Sequence, residues 1–197
     1  MNNIRKRLLN CFLGVVACLV LVGIAQASPL AQPTEIAPQI AANLREADAV
    51  LLAQSNAPET VSRYVAVLTK NNVVPATPTT AAFGSAGAVL MGDRLIVRGD
   101  FSNLTSPLRD YATDPLDPPN PNITSGVHIH QGEATTNGPF QYALEVTPGD
   151  TELKGRFAGS YTLTSEQLQA LSTGNLYVDL HTRRNRAGEL RGVFQPY

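Results

Sequence analysis

From residue 60 onward the sequence predicts an all-β fold, an antiparallel β-sandwich carrying one short helix. Runs rich in Val, Leu, Ile, Tyr and Phe recur at 61–69, 86–91, 94–101, 126–131, 139–147, 155–163, 175–182 and 188–195, separated by Gly, Pro, Asn and Asp. That is the punctuation of short strands joined by turns. Only one segment in this region, TSEQLQALSTG, has helical spacing: Thr164 and Gln167 form a capping-box pair, Leu168 and Leu171 face inward, and Gly174 ends it. Many short strands and a single helix leave sheet-on-sheet packing as the way to bury the apolar faces, and residues 60–197 are long enough for one such domain.

Upstream, Arg5, Lys6 and Arg7 precede an apolar run from Leu8 to Ile24 and then Ala25-Gln26-Ala27, the order of a secretory signal with an A-x-A cleavage site. Residues 1–27 are therefore expected to direct export to the periplasm, the cell envelope or the extracellular space, with cleavage after Ala27. A membrane enters only if the signal stays uncleaved or if Val15-Val16-Ala17-Cys18 serves as a lipid-attachment box. Residues 28–59 are rich in Ala, Gln and Pro; Ile36, Ile40, Leu44, Ala47 and Leu51 fall at helical spacing, but Pro29, Pro33, Pro38 and Pro58 favour a tether, a short helix being the other outcome.

Both cysteines, Cys11 and Cys18, lie in the signal, so the exported part has neither a disulfide nor a thiolate metal ligand. It keeps 12 basic residues against 16 acidic ones, which argues against nucleic acid as a partner. The stretch 105–125 contains five prolines and no alternation, so it is expected to be a long loop directly before the first histidine strand. Asn103-Leu104-Thr105 and Asn122-Ile123-Thr124 match the glycosylation sequon.

Side chains alternate along a strand, which puts His128 and His130 of GVHIHQG on one face and Val127 and Ile129 on the other. In NLYVDLHT the same parity groups Tyr177, Asp179 and His181 opposite Leu176, Val178 and Leu180. A hairpin turn centred on Asn185 then sets Tyr177 against Val193, Asp179 against Arg191, Leu180 against Leu190 and His181 against Glu189. One face of the sheet is thus expected to hold all three histidines, an Asp179–Arg191 ion pair and the Glu189 carboxylate.

Together, VHIHQG at 127–132, NGP at 137–139, the LT…Q…L helix at 163–171, and GNLYVDLHT leading into GELRG at 188–192 resemble the CHRD domain, named for its occurrence in chordin and found in many exported bacterial proteins. The resemblance runs from about Tyr64 to Phe194. The sequence departs from the usual pattern at Asp179, where Asn is common, and at Asn185-Arg186-Ala187-Gly188-Glu189, where the family has a proline-containing turn. The resemblance implies an extracytoplasmic β-sandwich, immunoglobulin-like or superoxide-dismutase-like, with no assigned activity. The growth-factor contacts of chordin belong to cysteine-rich modules that this chain lacks.

Two functional readings follow. The first is an exported, non-enzymatic binding or structural module, in which Asp179, Arg191 and Glu189 join the histidines in a hydrogen-bonded network and the partner is a protein or envelope polymer of unknown identity. No cofactor is then implied. The second is a metalloprotein or metalloenzyme, with His128, His130 and His181 holding copper or zinc and Glu189 or Asp179 assisting. A dismutase-type site needs more histidines than the three present, and no catalytic residue is assigned: Thr182 lies in no nucleophile elbow, and FGSAGAV lacks the lysine of a phosphate loop.

Overall fold

The computed structural model describes residues 33–54 and 60–197. The expected signal at 1–27 and the ends of the expected tether lie outside the described residues. Among the described residues, ten strands form two antiparallel sheets. In chain order the elements are α1 (Pro33–Leu52), β1 (Val61–Leu68), a 3-10 turn (Lys70–Asn72), β2 (Phe83–Met91), β3 (Arg94–Ser102), β4 (Val127–Gln131), β5 (Phe140–Ala143), β6 (Glu145–Pro148), β7 (Gly155–Thr162), α2 (Ser165–Ser172), β8 (Leu176–Leu180), β9 (Leu190–Val193) and β10 (Gln195–Pro196). The larger sheet runs β10-β1-β2-β3-β7-β6 and the smaller β5-β4-β8-β9.

Alternation supplies the core between the sheets. Ala66, Leu68, Ala86, Ala88, Leu95, Val97, Phe101 and Phe157 from the larger sheet meet Val127, Ile129, Leu176, Val178, Leu180 and Leu190 from the smaller. Two runs that read as single strands, 139–147 and 188–195, are each broken by one residue that carries the chain from one sheet to the other. Leu144 separates β5 from β6 and Phe194 separates β9 from β10; both are fully buried and bond back to the smaller sheet, Leu144 N to Val127 O at 2.9 Å and Phe194 N to Leu176 O at 3.0 Å.

Residues 33–52 differ from the preferred tether. Pro33 begins the helix, where its missing N–H costs no bond, and Leu44, Ala47 and Leu51 bury a stripe against Val89 and Ile96 on the outer face of β2 and β3. The backbones come very close: a Cβ at Gly87 would stand 2.7 Å from Leu44 N. Asn43, 2% exposed, fastens the contact by donating to Ser85 Oγ (3.1 Å) and Asp100 (2.6 Å). The second helix is as read, Thr164 and Gln167 forming a complete capping box and Gly174 ending it at φ +72°. Among the described residues no helix is long and apolar enough to cross a membrane.

Candidate metal centre

The outward face of the smaller sheet carries the polar residues that strand parity assigned to it. His128 pairs with Asp179 and His130 with Tyr177 across β4 and β8; Asp179 pairs with Arg191 and Tyr177 with Val193 across β8 and β9. The last two pairs are the register expected from a turn centred on Asn185. This face is not wet. His128 is 1% exposed, His181 9%, Asp179 3% and Arg191 1%.

Two loops cover it. The segment between β3 and β4 is tied down where Leu108 bridges Thr182 and Arg109 N donates to His181 O at 2.8 Å. The Arg109 guanidinium pairs with Asp114 (2.9 Å) and stacks on Tyr111, whose ring lies 5.3 Å from that of His128. The long proline-rich loop is therefore an ordered cover over the histidines. The second loop, 132–139, is clamped by Arg191, which donates to Thr136 O (2.8 Å) and Asn137 Oδ1 (2.7 Å) while holding both oxygens of Asp179 at 2.7 and 2.8 Å. Tyr177 lies between this clamp and the histidines, under the Arg191 guanidinium at 4.2 Å and stacked on His130 with the ring centroids 5.4 Å apart.

One nitrogen of each imidazole is fixed by a backbone carbonyl. His128 Nε2–H donates to Ser125 O (2.5 Å), His130 Nδ1–H to Gly138 O (3.0 Å) and His181 Nδ1–H to Arg186 O (3.0 Å). A carbonyl only accepts, so each contact sets the tautomer and leaves a lone pair on the other ring nitrogen. The three rings lie 5.0 to 6.1 Å apart between centroids, and one ligand atom from each lies within 4.8 Å of the others. Burial pushes His128 down to about 3, helped by the neighbouring His181, and burial also lowers His130 and His181, so the rings stay neutral with lone pairs available.

The Nε2 atoms of His130 and His181 are buried without any hydrogen-bond partner. A buried nitrogen left in this state costs about 1–3 kcal/mol unless something else uses its lone pair. Copper or zinc at about 2.0 Å from each ligand would draw the three nitrogens to roughly 3.4 Å apart, a closure of up to about 1.4 Å from the 4.8 Å within which they lie. The donor set and its carbonyl supports fit such an ion.

Glu189, expected beside His181, is engaged elsewhere. Its carboxylate accepts from Thr80 Oγ1 (2.7 Å), Thr105 N (2.8 Å), Thr105 Oγ1 (2.9 Å), Thr182 Oγ1 (2.7 Å) and Asn185 Nδ2 (3.0 Å). The β8–β9 ladder ends at Leu180–Leu190, and Glu189 N donates to Leu180 O (2.7 Å) instead of Glu189 pairing with His181. Asp179 keeps its predicted ion pair and stands behind the histidines with both oxygens bonded to Arg191.

Sequence reasoning placed Tyr177 on this face without giving it a role, and missed Tyr111, Phe140 and the Gly138 carbonyl. The last had a signal, the NGP element, whose role now has a physical reason. A Cβ at Gly138 would lie 1.9 Å from Gln131 O, and backbone cannot yield that distance. Gly138→Ala is expected to displace the loop and free His130 Nδ1, lowering stability by about 1–3 kcal/mol and any metal affinity by about 10- to 100-fold. Thermal melts and metal titration of the variant check both effects.

The described residues contain no cysteine and form an antiparallel β-sandwich with a largely buried three-histidine cluster on the outer face of its smaller sheet. A model of the CHRD domain matches residues 64–194, and the chain belongs to the CHRD domain family. Comparison with curated proteins and with solved structures returns no match.

Proposed function

We propose that this chain is an exported, non-enzymatic CHRD module that binds one copper or zinc ion through His128, His130 and His181. One observation carries the choice between the two readings: the polar groups of this face divide into a satisfied set and an unsatisfied one. Asp179, Arg191 and Glu189 have partners at every charged end, whereas His130 and His181 each retain a buried nitrogen with none. A purely structural network would pair those nitrogens as well. The arrangement fixes one nitrogen of each ring on a carbonyl and, in His130 and His181, keeps the other without a partner, as histidines that ligate a metal are held. Export is supported by the basic, apolar and A-x-A order of residues 5–27.

Elemental analysis of the purified protein, followed by copper and zinc titration, tests the reading. One equivalent of metal is expected, lost in His130→Ala. No binding tighter than about micromolar would overturn it.

A further inference from the structure

We propose that the three-histidine site is built for monovalent copper and discriminates against divalent zinc and copper. This rests on the metal-binding reading above and names the ion. Charge, coordination number and access lead to the same ion.

The ligands bring no negative charge. All three are imidazoles, and the nearby carboxylates are committed, Asp179 to Arg191 and Glu189 to its hydroxyl, amide and backbone donors. The carboxylates nearest the cluster are neutralised by arginines, Asp179 by Arg191 and Asp114 by Arg109 and Arg186. The cost of moving an ion out of water grows with the square of its charge. With uncharged ligands and the nearby carboxylates neutralised by arginines, nothing at this site offsets a second positive charge, and a divalent ion is therefore disfavoured more than a monovalent one.

Zinc completes a tetrahedron and, where protein supplies three ligands, takes its fourth from water or an anion. Here the walls are aromatic. Tyr111 lies against His128, Phe140 sets its edge to His128 (5.3 Å) and His130 (6.3 Å), and Tyr177 stacks on His130. The free nitrogens of His130 and His181 are closed to solvent. Monovalent copper has a filled d shell and is content with three ligands in a plane, so it alone among the three ions asks for nothing that the pocket lacks. Divalent copper prefers four or more ligands in a tetragonal arrangement.

The purified protein is titrated under nitrogen with copper(I) held by ascorbate against a chromophoric copper(I) chelator, and in parallel with zinc(II) and, without reductant, with copper(II). The expected result is one copper(I) per chain, favoured over zinc(II) by roughly a thousandfold or more. Tyr111→Ala, which keeps every ligand but opens a wall to water, is expected to narrow that preference about tenfold or more by admitting a fourth ligand to zinc. Zinc(II) or copper(II) bound as tightly as copper(I) overturns this inference and leaves the metal-binding reading standing; failure of all three ions to bind overturns both. Copper(I) binding that survives in His130→Gln and His181→Gln, each shown folded by circular dichroism, also overturns it.

Discussion

Replacing Arg191 with alanine is expected to lower the stability of the domain by about 3–5 kcal/mol, the usual cost of leaving a buried charge without its partner. At this chain length that corresponds to a fall in melting temperature on the order of 10 °C. The cause is the position of the guanidinium between three structures. It neutralises Asp179, 3% exposed, through two bonds; it holds the carbonyl of Thr136 and the side chain of Asn137; and it covers the Tyr177 ring. Arg191→Lys recovers only part of the loss, because an ammonium does not reproduce the bidentate fork. Replacing Asp179 and Arg191 together with apolar residues of similar volume restores more stability than Arg191→Ala retains, since no charge is then left buried alone. A thermal melt of Arg191→Ala indistinguishable from that of the parent would refute the assignment.

Glu189→Ala is expected to destabilise by a similar amount, about 3–5 kcal/mol, because it deprives five side-chain and backbone donors from three separate segments of a common acceptor. Thr80 precedes β2, Thr105 opens the long loop, and Thr182 with Asn185 shapes the turn after β8. The variant therefore loosens the loop that covers the histidines as well as the turn that supplies the Arg186 carbonyl to His181. Burial pushes the Glu189 carboxyl up, but the bonds from Thr80, Thr182, Asn185 and Thr105 outweigh it and hold the group below the ordinary glutamate value of 4.5. A depressed carboxyl contributes its stability above the unfolded value and loses it as pH falls through the folded one. Chemical denaturation of the parent and Glu189→Gln across pH 3 to 7 should accordingly show a gap that is widest near neutrality and narrows below about pH 4.5. A gap independent of pH would show that the charge has no part in the effect.

The ladder between β8 and β9 was legible because a short turn and strict alternation leave few registers, and the turn centred on Asn185 produced the observed pairs Tyr177–Val193, Asp179–Arg191 and Leu180–Leu190. The same parity grouped the histidines correctly. Alternation says only which side a residue takes, however, and what lies above that side comes from elsewhere in the chain. The cover supplied by Tyr111 and the 132–139 loop depends on loop conformation, which has no period to read. Glu189 followed the register only as far as the register exists, and beyond Leu190 the nearest donors decided its place. At Pro33–Leu52 the prolines argue locally for a tether, but the apolar stripe has a partner, Val89 and Ile96, that a local reading does not see.

The crossings at Leu144 and Phe194 make the two layers a single mechanical unit. Peeling the four-stranded sheet from the six-stranded one requires extraction of two fully buried side chains, whose backbones are bonded to Val127 and Leu176. Opening at the histidine face therefore does not spread without loss of the common core, and the domain unfolds as one cooperative block. An ion held on the outer face of the small sheet would consequently slow amide exchange in β1 and β3, on the far side of the sandwich, without touching either strand.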